Sequence, residues 1–271
     1  MSIVDRIALE RAAETTKRRR SRPEDSLRRS ATPPRPCFSR ARPFMLIAEC
    51  KRASPSRGIF LDNYDPVALG LSYEAGGAGM ISVLTEPAHF LGSDANLTEV
   101  REAVALPVLR KDFIVDPYQV TESWAIGADA ILLIASLHDS GLLRELAALA
   151  HARGLSVLLE VHEEGELERA LGADADAIGI NARDLRDFRV DPGRAKRLGA
   201  SLDTELFKVA ESGLKNPADA AAMLAAGFRG FLVGEALVTS GDPEAATRAF
   251  ALALREAAES TTAAFAPGAT R

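Results

Sequence analysis

The sequence predicts an α/β protein, a single closed (β/α)8 TIM barrel behind an N-terminal helical extension. Three observations predict it. Short apolar runs rich in Val, Ile and Leu recur eight times between residues 45 and 233. Segments with helical spacing follow them, as parallel βαβ units require. Several runs end on an ionisable residue or an amide, which a barrel would gather at one mouth. Spacing alone leaves a doubly wound open sheet possible, and the converging polar ends favour closure. A length of 271 residues suits one such barrel.

In chain order, the first element is an amphipathic helix. Ile3, Val4, Ile7, Ala8 and Ala12 share a face at a 3.6-residue period, with Ser2 as its cap and Asp5 three residues on. From Ser21 to Pro43 the pattern gives way to Arg, Ser and Pro, an irregular connector. Residues 1–42 therefore form the extension and 43–258 the barrel. Its strands are expected at Met45–Glu49, Met80–Leu84, Pro107–Arg110, Ala130–Ile134, Ser156–Leu159, Ala177–Ile180, Leu206–Ala210 and Gly230–Val233. Helical segments such as Pro66–Gly77, Pro117–Gly127 and Pro217–Gly227 begin on proline and end on glycine, the asymmetry of helix termini. Residues 259–271 lose periodicity and read as a flexible tail.

Composition excludes several classes. No apolar run approaches the ~20 residues of a membrane span. Asp5, Glu10 and Glu14 interrupt the first 20 residues, so no secretory signal is read there, and a soluble, cytoplasmic protein is expected. Cys37 and Cys50 cannot make a disulfide scaffold. His89, His138, His151 and His162 lack ligand spacing, so no metal is expected. Residues 1–42 carry 12 Lys and Arg against 5 Asp and Glu, whereas the remainder carries 21 against 33. Lys17-Arg-Arg-Arg20 is short and lacks aromatics, which argues against nucleic acid and for an arm lying on or beside an acidic body.

The chemistry lies at the strand exits. Glu49 and Lys51 end the first strand, Lys111 the third, Glu160 the fifth, Asn181 the sixth, and Glu211 with Ser212 the seventh. A lone polar exit would be ordinary; three carboxylates, two lysines and an amide on one rim point to a reaction. Gly213 and Gly234 follow strands seven and eight, where barrels often cradle a phosphate. Cys50, between two rim residues, should point away from the pocket by strand alternation. His162-Glu163-Glu164 reads as a solvated turn, Glu166 to Arg169 as a solvated helix face, and Trp124 as outer-layer packing.

These residues also carry a resemblance. Leu46-Ile-Ala-Glu-Cys-Lys-Arg-Ala-Ser-Pro-Ser-Arg-Gly58, Leu106-Pro-Val-Leu-Arg-Lys-Asp-Phe113 and Ile178-Gly-Ile-Asn-Ala-Arg-Asp-Leu185 resemble signatures of the indole-3-glycerol-phosphate synthases. Leu159-Glu-Val-His162, Glu211-Ser-Gly213 and Leu232-Val-Gly-Glu-Ala-Leu237 continue the likeness, which spans about residues 44–250 in order. It implies a carboxy-lyase of tryptophan biosynthesis, needing no cofactor. Such an enzyme ring-closes, decarboxylates and dehydrates 1-(2-carboxyphenylamino)-1-deoxy-D-ribulose 5-phosphate to indole-3-glycerol phosphate.

The resemblance also implies roles. Lys111 matches the general acid, and Glu160 with Lys51 or Lys111 suits the dehydration. Glu49 or Glu160 is expected close enough to keep Lys111 charged. Lys51 and Arg183 match positions on substrate anions or hydroxyls, Ser54 matches a binding position on the first loop, with Ser56 near it, and Asn181 suits the sugar chain. Ser212, Gly213, Gly234 and the Glu235 backbone N–H gather around the phosphate beside Glu211. Phe113, Leu132 and Leu232 wall the aromatic ring, or else are plain barrel core. In the family the extension closes over the mouth. Two positions depart from the pattern, with Arg57 where lysine is frequent and Ala182 in place of a second asparagine. The strand-four exit, Ile134 to Leu137, is one residue short. The substrate is then a small phosphorylated aromatic, and the chain a monomer or weak homo-oligomer. Two alternatives stand beside this reading. One is a phosphoribosylanthranilate isomerase-like enzyme; the other is a catalytically weak or silent relative that only binds phosphate.

Overall fold

The computed structural model describes residues 2–29, 32–39, 41–184, 189–203 and 205–264. Eight parallel strands close into a barrel: β1 (Met45–Cys50), β2 (Met80–Leu84), β3 (Val108–Lys111), β4 (Ala130–Ile134), β5 (Ser156–Val161), β6 (Ala177–Asn181), β7 (Lys208–Glu211) and β8 (Gly230–Val233). Each pairs with the next, and β8 returns to β1 with Met45 opposite Gly230 and Ala48 opposite Val233. Each of the eight apolar runs is a strand, and the open-sheet alternative falls. The ends differ from expectation. Leu84 pairs with Lys111, Ile134 with Glu160 and Asn181 with Glu211, so polar exits belong to the ladder itself. Backbone pairing is indifferent to side-chain polarity, and a strand bounded by its apolar run stops short.

The helices are α1 (Ile3–Ser21), α2 (Pro66–Ala75), α3 (Asp94–Ala103), α4 (Pro117–Ala125), α5 (Ser140–Ala152), α6 (Glu164–Leu171), α7 (Pro192–Ser201), α8 (Pro217–Ala225), the four-residue α9 (Glu235–Val238) and α10 (Pro243–Ala264). Asp65, Asp116 and Asp191 accept first-turn N–H groups just ahead of Pro66, Pro117 and Pro192, so cap and proline together set each start. Helix α10 runs on to Ala264, through the boundary read at 258. The rest of the expected tail, 265–271, lies outside the described residues.

Strand alternation sorts the buried side chains into two cores. One fills the space between strands and helices, and includes Cys50, turned away from the pocket as expected. The other fills the barrel with Met45 and Ile47, Leu109, Ala130 and Leu132, Leu158, Ala177, Phe207 and Val209, and Leu232. The extension packs against both ends of the inner core. Phe38 packs tilted against Phe207 at the foot, with ring centroids 5.6 Å apart. Val4 and Ile7 join Phe113 and Ile134 toward the mouth.

The buried face of α1 is Val4, Ile7, Arg11 and Thr15; Ala12, expected on that face, is exposed. Arg11 takes the inward position because its guanidinium meets Asp112, an ion pair that periodicity of apolar residues cannot register. The basic arm packs on the acidic body. Arg18 pairs with Asp94 and Glu122, and Arg19 with Asp116. Further along, Arg29 donates to the carbonyls of Trp124 and Ala128 at 2.8 Å, and Asp129 Oδ1 accepts the Arg35 backbone N–H at 2.8 Å.

Candidate active site

A cavity of about 550 Å³ opens at the carboxyl end of the barrel. Continuing the inner-core alternation outward generates its floor. Met45 and Ile47 lead to Glu49 and Lys51, Leu109 to Lys111, Leu158 to Glu160, Ala177 and Gly179 to Asn181, and Val209 to Glu211. Ser54, Phe113, Leu132, Arg183, Ser212, Gly213, Leu232, Gly234 and Glu235 complete the sequence-named set, and all of them line this cavity. Phe60, Leu84, Phe90 and Ile134 join the walls without having been singled out.

Lys111 stands at the centre. Its Nζ lies 3.3 Å from Glu160 Oε2 and 3.4 Å from Glu211 Oε2. Burial opposes its charge, but Glu160, Glu211 and Glu49 outweigh burial and hold the ammonium well above its ordinary pKa. Glu160 is thus the expected neighbour, and Glu211 a second. Burial pushes Glu160 up as well, yet Lys111 and the donors on its other oxygen keep it ionised far below the usual carboxylate range. Glu211 goes the other way: burial, then the Glu160 charge, raise it despite Lys111. Two buried carboxylates around one ammonium thus divide into an anion and an acid. Beside them Glu49 Oε1 pairs with Lys51 Nζ at 2.7 Å, and that ammonium sits 5.4 Å from the Phe60 ring centroid.

Glycines make room for this crowding. A Cβ on Gly179, in β6, would collide with Glu211 Oε1. One on Gly234 would collide with Glu49 Oε1 and lie 3.1 Å from Lys51 Nζ. After β7, Ser212 and Gly213 both turn left-handed, with φ of 61° and 78°. At the rim, Arg57 on the hairpin of Ala53–Ser54 and Gly58–Ile59 pairs with Glu235 at the start of α9, joining the adjacent loops after β1 and β8. Asn181 Oδ1 accepts the Arg183 backbone N–H at 3.0 Å. The strand-four exit is a 3-10 turn, Ala135–Leu137. No cavity-lining residue comes from the extension among those described; α1 buttresses the Phe113 segment instead.

Two sequence expectations fail here. His162 is not a solvated turn: its ring is buried, with Nε2 3.0 Å from Glu160 Oε1. Glu166 is not on a solvated face: it is buried and accepts the His162 backbone N–H at 2.6 Å. The missed signal was alternation, since β5 runs to Val161 and carries His162 on the Glu160 side. Trp124 is outer-layer packing as expected, with Arg153 4.9 Å from its ring centroid.

Comparison with known proteins agrees with the site. The family model "Indole-3-glycerol phosphate synthase" matches residues 4–250. The indole-3-glycerol phosphate synthase of Rhodococcus jostii (strain RHA1) is 50% identical over 201 residues, 74% of this chain and 75% of that protein. That of Mycolicibacterium gilvum (strain PYR-GCK) is 50% identical over 207 residues, 76% of each chain. Among solved structures, thiamine phosphate pyrophosphorylase from Pyrococcus furiosus superposes with a TM-score of 0.61 at 19% identity, covering 79% of this chain and 97% of its own, a likeness of fold alone. With its rim residues in one cavity and the family pattern running nearly end to end, the chain belongs to the indole-3-glycerol phosphate synthase family.

Proposed function

We propose that Lys111 is the general acid and Glu160 the general base of the indole-3-glycerol phosphate synthase reaction in this chain. The observation that carries this is the Lys111 ammonium held between the Glu160 and Glu211 carboxylates on the cavity floor. As the ring carbon bearing the carboxylate attacks the ketose carbonyl of 1-(2-carboxyphenylamino)-1-deoxy-D-ribulose 5-phosphate, the carbonyl oxygen takes a proton from Lys111 Nζ. Carbon dioxide then leaves and returns its electron pair to the ring. The new hydroxyl departs as water after protonation by Lys51 or Lys111, while Glu160 accepts the proton lost from the substrate.

Binding follows the lining. Lys51 and Arg183 face the anions of the substrate, Asn181 and Ser54 its hydroxyls, and Glu211 the reacting centre. The turn of Ser212 and Gly213, with Gly234 and the Glu235 backbone N–H, suits the phosphate. Phe113, Leu132 and Leu232 suit the aromatic ring. We place the enzyme in the cytoplasm as a monomer or weak homo-oligomer; no helix among the described residues is long and apolar enough to cross a membrane.

Indole formation from the carboxyphenylamino-deoxyribulose phosphate, followed by fluorescence, tests the assignment. Lys111→Ala should lower kcat by roughly 10²–10⁴-fold, the usual range for a general acid. A wild type that binds the compound without turning it over would leave the silent phosphate-binding reading.

A further inference from the structure

Glu160 has its two oxygens engaged from opposite sides. Oε2 faces Lys111 Nζ at 3.3 Å. Oε1 accepts from Asn181 Nδ2 at 3.1 Å and lies 3.0 Å from His162 Nε2. His162 Nδ1 lies 3.6 Å from Glu166 Oε2, the oxygen that also accepts the His162 backbone N–H. A ring with a carboxylate at ion-pair distance from each nitrogen is favoured as the imidazolium. We infer that His162 is a positioning residue for the reaction, wedged between Glu160 and Glu166 so that Glu160 keeps Oε2 toward Lys111. This rests on the assignment of Glu160 as general base.

The physical need is clear from the rotor. The terminal torsion of a glutamate is broad, so a carboxylate held by Asn181 alone could turn its plane away from Lys111. A cation beside Oε1 restricts that rotation and favours the ionised form.

The charges around the ring agree. Glu160 faces it from β5 and Glu166 from α6; Lys111 and Glu211 stand beyond Glu160, and Glu163 and Glu164 precede Glu166 at the start of α6. Just after the 3-10 turn, His138 is bonded to the Ile114 carbonyl at 2.9 Å, and burial lowers its pKa, so it adds no competing charge. Burial disfavours the His162 imidazolium too, but Glu160 and Glu166 outweigh it and raise the ring to about 10. At neutral pH His162 is a fixed cation, not a proton shuttle.

The test is kcat and KM across pH for His162→Leu and His162→Gln, with thermal melts to verify folding. His162→Leu should lose about 10- to 100-fold in kcat, part of what general acid–base catalysis contributes. KM should change little. In both variants the acidic limb of the kcat profile should move to higher pH, because a Glu160 without its cation protonates more easily. His162→Gln should keep more of kcat than His162→Leu, since its amide places a polar N–H group beside Oε1. A folded variant with wild-type kcat and an unmoved acidic limb overturns the inference, as does a loss carried wholly by KM or by stability. Should His162→Leu fail to fold, His162→Gln decides alone. Glu160→Gln separates the two layers: if it still turns over, the assignment of Glu160 falls, whereas an inactive Glu160→Gln beside wild-type-like His162 variants sinks only the role of His162.

Discussion

Arg11 donates from Nε and Nη2 to the two carboxylate oxygens of Asp112, at 3.0 and 2.7 Å, and Asp112 is the residue that follows Lys111. The same carboxylate accepts from Thr85 Oγ1 at 2.5 Å and from the Phe113 backbone N–H at 2.7 Å. The first helix is thereby pinned to the strand that presents the central lysine, although it lines none of the cavity.

Arg11→Leu should therefore act on both stability and turnover. Removing one partner of a buried ion pair costs about 3–5 kcal/mol. The lower end is expected, because Arg110 Nη2 remains 3.2 Å from Asp112 Oδ2. Thermal denaturation should show the loss, and kcat/KM should fall with it; an unchanged melt would mean that the pair does not hold α1 in place.

Gly179→Ala adds one methyl group where Glu211 Oε1 already sits. Overpacking of this kind costs roughly 1–3 kcal/mol. The expected outcome is a folded protein by circular dichroism with kcat reduced well beyond the stability loss, since Glu211 must swing away from Lys111. Wild-type turnover would show that the barrel floor can yield without consequence.

Glu211 should leave a signature in stability against pH. Its folded-state pKa is raised from 4.5 to about 8, chiefly by burial and then by the Glu160 charge. Folding therefore favours its protonated form, and that contribution is complete below the ordinary carboxylate range and lost as pH rises through about 8. Glu211→Gln, neutral throughout, should gain thermal stability relative to wild type progressively between those limits while losing activity. Parallel melting curves across the interval would show that Glu211 is ionised already.

The Arg57–Glu235 pair at the rim is largely exposed on the arginine side. Surface ion pairs contribute about 0–1 kcal/mol, so Arg57→Ala should leave the melting temperature nearly unchanged. Losing a cation at the entrance of an anion-binding cavity should instead raise KM severalfold and weaken its dependence on ionic strength. A KM within error of wild type at low salt would remove Arg57 from the binding path.

The barrel and most of its rim were legible because each depends on local pattern. Alternating apolar runs set the eight strands, and the ends of parallel strands in a closed barrel face one mouth, so the sequence alone places Glu49, Lys51, Lys111, Glu160, Asn181 and Glu211 together. His162 and Glu166 were not legible from charge and solubility habits, although two-residue alternation past Glu160 pointed at the ring.

What periodicity could not reveal are pairings between distant segments. Arg11 with Asp112, Arg18 with Asp94 and Glu122, and Arg29 and Arg35 around Asp129 fix where an arm expected on or beside the acidic body lies, strapping it along the barrel. Likewise Glu160 and Glu211 are chemically the same side chain near the ends of their strands. One is held as an anion and the other favours its proton because Asn181 and His162 stand behind Glu160, while the Glu160 charge itself falls on Glu211. Residue type and spacing fix which groups reach the mouth; through-space Coulomb interactions in a buried site, invisible along the chain, set the charge each one carries there.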